Sequence, residues 1–385
     1  MSAYPIPGGN EVYRGRPSKI MQHNVLQAYP GDLLDGVPGV DMYGARVLAS
    51  SYKGDVIMMP STLKDHRLLD PILAHYTRIG LQVADQFVFD ESWEVVRNFP
   101  EHELDAFHFG AAAHAVAPNE KFVRLADEMN NKNTFIEFCH RMGIPTPGTT
   151  LFDSIEDYDS RADDLPGVGY PLYVKAAISA SGMHVIRCEN DTELAVAVKN
   201  MPDAFQIQEG LPPQTGFYNI QYTEAGGERH HGPLTLQKLV GNEHNGNIYP
   251  AGIDVDIVQP LADRMANHMF DCGMKSTWAY DVAVTPKRGA LFIEANPRWN
   301  GASYYSHPAE RLKAKAWEGQ YVQPKHTNFD FLFRNCQDWE YNPSHGSGII
   351  LINWGTVVAH KLGLLVIGTP EQRESLLSTF RSRYC

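Results

Sequence analysis

The chain has 385 residues, 43% hydrophobic and 20% charged, a balance that excludes disorder and leaves room for two or three domains with a sizeable core. Its formal net charge of -12 argues against nucleic acid as a partner, although a nucleotide needs only a few local cations. Five scattered cysteines without a C-x-x-C pair give neither a disulfide framework nor a zinc site, and the start, MSAYPIPGGN, is not a signal peptide, so a cytoplasmic protein is expected.

The first elements form an open α/β pattern. Glycine and proline in PGDLLDGVPG predict irregular surface structure. GDVIMMP reads as a buried strand, DHRLLDPILAHYTRIG as a helix closed by Gly80, and LQVADQFVFD as a strand. In NKNTFIEFCHRMGIPTP, Phe135, Phe138, Cys139 and Met142 recur at helical spacing and Gly143 is the stop. DSIEDYDSRADDL offers a second helix with Ser154 and Asp157 as a capping box. YPLYVKAAISASGMHVIRC reads as strand, small-residue turn and strand, DTELAVAVKNM as a helix, and AFQIQEGLP as a strand. From Phe217 onward strands dominate and predict an antiparallel sheet. GIILINWGTVVAHKLGLLVIG is the one tempting membrane span; Asn353, His360, Lys361 and the breaks at Gly355 and Gly363 favour two buried strands instead. TPEQRESLLSTFRSRY is a last helix with Thr369 as cap and Pro370 at its first position.

LFIEANPRWNGASYY places Glu294, Asn296, Arg298 and Asn300 at alternate positions, on one face if the chain stays extended. Either this strand leaves the sheet into solvent or the face lines a site. WAYDVAVTPKRGALFIEAN reads as a hairpin. A loop over 286–289 pairs Thr285 with Ala290 and sets Asp281 across from Glu294, with Asn296 on the same face. Two facing acids repel, and a retained proton or a bound cation relieves them. Two carboxylates and an amide oxygen suit Mg²⁺ or Mn²⁺; the alternative is two exposed acids that never meet.

A metal of this type implies phosphate, and no P-loop motif is present. Lys175 ends an apolar strand ahead of AAISASGM. There small residues open backbone N–H groups to an anion, Ser179 and Ser181 add hydroxyls, and Gly182 is free to take unusual dihedrals. The same segment also reads as an ordinary hairpin turn with a lysine reaching water. Lys132, in the first turn of its helix, is badly placed for the helix dipole unless an anion is near. Lys238 interrupts LTLQKLVG, either as an exposed strand lysine or ahead of a polar, flexible loop, NEHNGN, over a reactive group. No Ser–His–Asp or Cys–His set emerges, and nothing singles out one of His184, His230, His231, His244 and His307.

Taken in order, NKNTFIEFCHRMGIPTP, YPLYVKAAISASGM, IQEGLP, LQKLVG and YDVAVTPKRGALFIEANPRWNG resemble the ATP-grasp superfamily over roughly 120–305. The resemblance implies an α/β plus α+β protein: a pre-ATP-grasp α/β domain (1–118), an ATP-grasp domain (119–310, lid about 148–207) and a C-terminal α+β extension (311–385). It implies an enzyme that uses ATP and Mg²⁺ or Mn²⁺ to activate a carboxylate as an acyl phosphate and couple it to an amine, in the manner of an amide or peptide ligase. The alternatives are phosphorylation, transfer to a non-amine acceptor, or a nucleotide-binding module without catalysis. By position, Lys132 and Lys175 would hold the α- and β-phosphates, and Ser179, Ser181 and Gly182 would lie in the loop over the triphosphate. Gln208, Glu209 and Leu211 would meet adenine, and Lys238 would approach the phosphates. Asp281, Glu294 and Asn296 would hold metal, and Arg298, with backbone N–H groups near Asn300, would stabilise the acyl intermediate. Three departures stand out. The phosphate loop is glycine-poor, PQTG offers only Gln214 and Thr215 to the ribose, and the first 115 residues fit no familiar variant. Small-molecule substrates, no membrane, no nucleic acid, and a homodimer as one allowed assembly complete the expectation.

Overall fold

The computed structural model describes residues 16–28, 34, 36–65, 67–161, 165, 169–179, 184–201, 203–241 and 243–385. The N-terminal sheet contains β1 (Lys19–Gln22), β2 (Val56–Met58), β3 (Gln86–Val88) and β4 (Glu103–Ala106), all parallel in the order β3-β2-β1-β4. Helix α1 (Leu69–Arg78) links β2 to β3, and Gly80 beyond it takes φ 77°, the left-handed conformation that ends the helix. A long 3-10 helix, Val40–Ser50, follows PGDLLDGVPG, part of which lies outside the described residues. Three helices lead into the centre: α2 (Ala111–Val116), α3 (Glu120–Asn130) and α4 (Lys132–Arg141).

The second sheet is small and antiparallel, with order β5-β8-β6-β7: β5 (Thr149–Phe152), β6 (Leu172–Ala176), β7 (Val185–Cys188) and β8 (Phe205–Glu209). With α5 (Ile155–Ser160) and α6 (Asp191–Lys199) it encloses its own core around Phe152, Val174, Leu194, Phe205 and Ile207. The Ser154 hydroxyl accepts from Asp157 N as expected, but the Asp157 carboxylate accepts from Asp153 N, one residue outside a true capping box.

The large sheet has eight strands: β9 (Gly216–Ala225), β10 (Glu228–Val240), β11 (Glu243–Tyr249), β12 (Thr277–Thr285), β13 (Gly289–Asn296), β14 (Trp317–Val322), β15 (Gly348–Leu351) and β16 (Leu362–Ile367). Their order is β13-β12-β9-β10-β11-β14-β16-β15. Alternation gives its first half two unlike faces. Tyr218, Ile220, Tyr222, Trp278, Tyr280, Val282 and Phe292 pack with α3, α4 and α7 (Gln259–Asp271). Asn219, Gln221, Thr223 and Asp281 point the other way, and Gln221 Nε2 meets Ser306 Oγ of α8 (Ser303–Arg311) at 2.9 Å.

Helices α7 and α8 and strand β14 were not anticipated. The apolar positions of α7, Ala262, Met265, Ala266 and Met269, do recur at helical spacing. α8 is buried nearly all round and contains Pro308, so no amphipathic pattern marks it. After the short helix α9 (Asp330–Phe333), β15 and β16 appear where two apolar strands were expected, and α10 (Pro370–Tyr384) carries a full capping box between Thr369 and Gln372. These strands extend the large sheet. Ile350, Leu365 and Phe380 share one core with Leu48, Ile57 and Tyr76 of the N-terminal segment. Among the described residues no helix is long and apolar enough to cross a membrane.

Candidate active site

The β12–β13 hairpin brings Asp281 directly opposite Glu294, by a route the sequence did not suggest. The turn is one residue tighter than expected. Gly289, at φ 68°, pairs with Thr285, so Val284 meets Ala290 and Val282 meets Phe292. A bulge then interrupts the register, Ile293 is left over, and the two acids face each other after all.

Neighbouring strands hold Asp281 in place. Its Oδ1 accepts from Asn219 Nδ2 at 2.6 Å and Gln237 Nε2 at 2.7 Å, and its Oδ2 from Asn296 Nδ2 at 3.2 Å. Desolvation, reinforced by the charge on Glu294, raises the Asp281 pKa. For Glu294 desolvation pushes the same way, but Lys132, hydrogen bonding with Asp281 and the charge of Lys175 outweigh it and hold the carboxyl down. Burial and mutual repulsion thus favour one proton retained by the pair. Among the described residues no three His, Cys, Asp or Glu side chains gather, so the oxygen set here is two acids and the Asn296 amide. Asn296 spends an N–H on Asp281, which leaves its carbonyl oxygen as the atom able to take a cation.

The two lysines converge on this hairpin from different elements. Asn131 caps α4 by accepting from Asn133 N and Thr134 N, which sets Lys132 at the helix start. Lys132 is buried; its Nζ lies 3.2 Å from Glu294 Oε2 and donates to Ser179 Oγ at 3.0 Å. Lys175, at the end of β6, donates to Gln208 Oε1 at 2.5 Å. Burial pulls its pKa down to about 8, against the attraction of Glu294. Ser181 and Gly182 lie outside the described residues.

Gln208 fixes Lys175 and donates to Thr149 Oγ1 at 3.0 Å. The Glu209 carboxylate accepts from Gly148 N at 2.5 Å and pairs with Arg288 of the hairpin turn at 2.5 Å, tying the lid sheet to the large one. Leu211 is half-buried beyond β8, and Gln214 is exposed in a turn closed by Thr215 N and Pro212 O.

Three expectations change. Lys238 follows Gln237 on β10 and so points to the opposite face of the sheet from Asp281, where it pairs with Glu318. Asn242 lies outside the described residues, and the rest of NEHNGN is a strand rather than a mobile loop. It forms most of β11, and His244 packs so closely on Gly301 that a Cβ there would lie 2.7 Å from the ring. The alternation of LFIEANPRWNG ends with β13 at Asn296. Arg298 lies beyond it, its guanidinium 5.2 Å from the Phe107 ring centre, and Asn300 Oδ1 accepts from Ser303 N and Oγ at 3.1 Å. Of the five histidines, His307 is buried and His244 half-buried, while His231 pairs with Asp263 at the far end of β10. The sequence reading passed over Asn219 and Gln237, the residues that orient Asp281. Their signal was available: Asn219, Gln221 and Thr223 alternate with Tyr218, Ile220 and Tyr222.

A small antiparallel sheet, a larger one ending in a hairpin that sets two acids opposite each other, and Lys132 and Lys175 nearby match the ATP-grasp fold. No family model matches the chain. Among solved structures, N5-carboxyaminoimidazole synthetase from Staphylococcus aureus aligns over 96% of this chain and 97% of its own, at 13% identity and a TM-score of 0.60. The carboxyaminoimidazole ribonucleotide synthase of Aspergillus clavatus, solved with ATP, aligns over 87% of this chain and 97% of its own at 14% identity, with a TM-score of 0.54. Solved with ADP and 5-aminoimidazole ribonucleotide, the Aspergillus clavatus enzyme aligns over 86% of this chain and 98% of its own at 11% identity, with a TM-score of 0.53. At such identities the likeness establishes the fold.

Proposed function

We propose that this protein is an ATP-dependent carboxylate–amine ligase. The observation that carries the reading is the facing pair Asp281 and Glu294 with Lys132 and Lys175 beside it. Two opposed carboxylates on a sheet cost stability, and a fold keeps them where a cation–phosphate complex uses them. The ATP and ADP held by structures of the same fold fit this reading.

The donor set suits Mg²⁺ or Mn²⁺: carboxylate oxygens from Asp281 and Glu294 and the Asn296 carbonyl are hard ligands of the kind such ions take. When bound, the metal neutralises phosphate charge and favours in-line displacement. The protein's own groups do the rest. Lys132 and Lys175 turn from Glu294 and Gln208 to the phosphates, Ser179 moves with Lys132, and β8 together with Leu211 borders the base. A substrate carboxylate oxygen attacks the γ-phosphorus, the bond to the β,γ-bridging oxygen breaks, and ADP leaves. The amine nitrogen then attacks the acyl carbon. The carbon–oxygen bond to phosphate breaks, an amide forms, and the nitrogen loses its proton. To Arg298, just beyond the hairpin, we assign the charge that steadies the oxyanion. The first step needs no base, because a carboxylate is already a nucleophile.

The test is ADP and phosphate release over a panel of carboxylates and amines, amino acids included, singly and in pairs, with mass spectrometry of products. Release that needs two substrates and yields an amide supports the reading. Release with one substrate and no amide in any pair overturns it.

A further inference from the structure

A second cluster of positive charge lies where the N-terminal segment meets α8 and the end of the large sheet. Arg46, on the 3-10 helix Val40–Ser50, is only 6% exposed, yet no carboxylate pairs with it among the described residues. Aromatic rings surround it instead. Its guanidinium carbon lies 3.9 Å from the ring centre of Tyr304, 5.1 Å from Tyr43 and 5.3 Å from Phe107. Arg298 approaches the same Phe107 ring at 5.2 Å, and Lys361 stands 4.7 Å from the Tyr321 ring and 5.4 Å from Tyr43. Cation–π contacts return part of the hydration a buried guanidinium gives up, but not its hydrogen bonds. The Tyr304 hydroxyl reaches the guanidinium, but Arg46 Nε and Asn353 Oδ1 are buried without a hydrogen-bond partner among the described residues. A fold rarely leaves a buried arginine so placed unless a ligand completes it.

The surroundings hold Arg46 stiffly. The Tyr304 hydroxyl, next to Arg46, lies 2.8 Å from His23 Nδ1, and His23 Nε2 stands 3.5 Å from Asp105 Oδ1. Asp105 is itself anchored by Lys19 at 2.6 Å, Ser276 at 2.8 Å and the Trp299 indole at 3.0 Å. Asp105 is thus already committed to other groups, and the Tyr304 hydroxyl, held by His23, sits beside a guanidinium fork of the kind that grips carboxylate or phosphate in two-point fashion.

We infer that Arg46 and Lys361, with Arg298 on the reacting side, receive an oxyanion carried by the acceptor amine. This assignment to a substrate rests on the ligase reading; the anion site itself does not. The acceptor is then an amine bearing a carboxylate or a phosphate, positioned by its anionic end while its nitrogen reaches the acyl group near Arg298.

The test uses the full chain, thermal unfolding at constant ionic strength, and two probes, succinate and inorganic phosphate. One of them should stabilise the wild type saturably, and which one does so distinguishes a carboxylated acceptor from a phosphorylated one. Binding of that probe should weaken about 10- to 100-fold in Arg46→Gln and less in Lys361→Met. Lys175→Met should lose stabilisation by ADP and keep the response to the probe. Should Arg46→Gln fail to fold, Arg46→Lys, which keeps the charge but loses the fork, and the half-buried Lys361→Met carry the measurement. No saturable response in the wild type, or an equal response in the Arg46 and Lys361 variants, overturns the anion site. Retained probe binding with no ADP release from any substrate pair overturns the ligase reading alone. ADP release driven as well by a neutral amine as by its carboxylated or phosphorylated counterpart overturns the assignment to the acceptor.

Discussion

The molecule contains two pockets of buried positive charge, and they are built on opposite principles. At the hairpin, Lys132 meets Glu294 and Lys175 meets Gln208, so each cation already has a protein partner. Beside Val40–Ser50, Arg46 has rings and a hydroxyl but no acid. The first arrangement balances itself and must be rearranged by whatever binds. The second has no acid partner among the described residues and, on our proposal, is completed by its ligand. Partnered lysines suit a ligand that comes and goes with its own metal, whereas a fixed arginine suits selection of one partner by shape and charge.

Four experiments test how far that contrast goes. Glu294→Gln should have the largest effect, lowering ADP release about a thousandfold while the circular dichroism spectrum stays that of the wild type. Activity within tenfold of the parent, about 1.4 kcal/mol, would contradict the site. Lys175→Met should raise the KM for ATP about 10- to 100-fold. Because burial holds Lys175 at about 8, its charge is present below that pH and lost above it. The wild-type kcat/KM for ATP should therefore fall as pH rises through about 8, and the variant should show no such descending limb. An unchanged limb in the variant assigns it elsewhere. Asp281, whose pKa is raised, must give up its proton to bind a cation, so Mg·ATP binding at neutral pH should release protons. Calorimetry in two buffers of different ionisation enthalpy reads this directly. Asp281→Asn should abolish the difference, and equal enthalpies in the wild type would refute the retained proton. The smallest effect is expected for Lys238→Met. A half-exposed ion pair on the far face contributes about 0–1 kcal/mol, so kinetic constants should move by about threefold at most. A hundredfold loss would return Lys238 to the phosphates.

Much of this could be read in the chain itself, and the reasons for the failures are physical. Strands and helices with clear period, such as NKNTFIEFCHRMG and GDVIMMP, formed where alternation or helical spacing placed them. α8 escaped because it is buried on every side and leaves no stripe to detect. Lys238 was misplaced because a lysine in an apolar strand stands out, while its neighbour Gln237, which touches Asp281, does not. Arg46 gave no signal at all, since its meaning depends on Tyr304 and Lys361, more than 250 residues away in the chain. Pairings within one hairpin are local and can be counted out, whereas a pocket shared by four separated segments cannot.

The leftover Ile293 has a practical consequence. It gives the hairpin a spare residue, so the turn and the acids are indexed independently. Deleting Ile293 restores plain alternation, keeps Phe292 on the core face and still leaves Asp281 opposite Glu294, whereas lengthening TPKRG by one amino acid carries Phe292 to the opposite face. Shortening the turn finds no such reserve. A deletion at Ile293 is therefore tolerated better than a change of turn length, and a library of insertions and deletions around 286–293 would map that asymmetry.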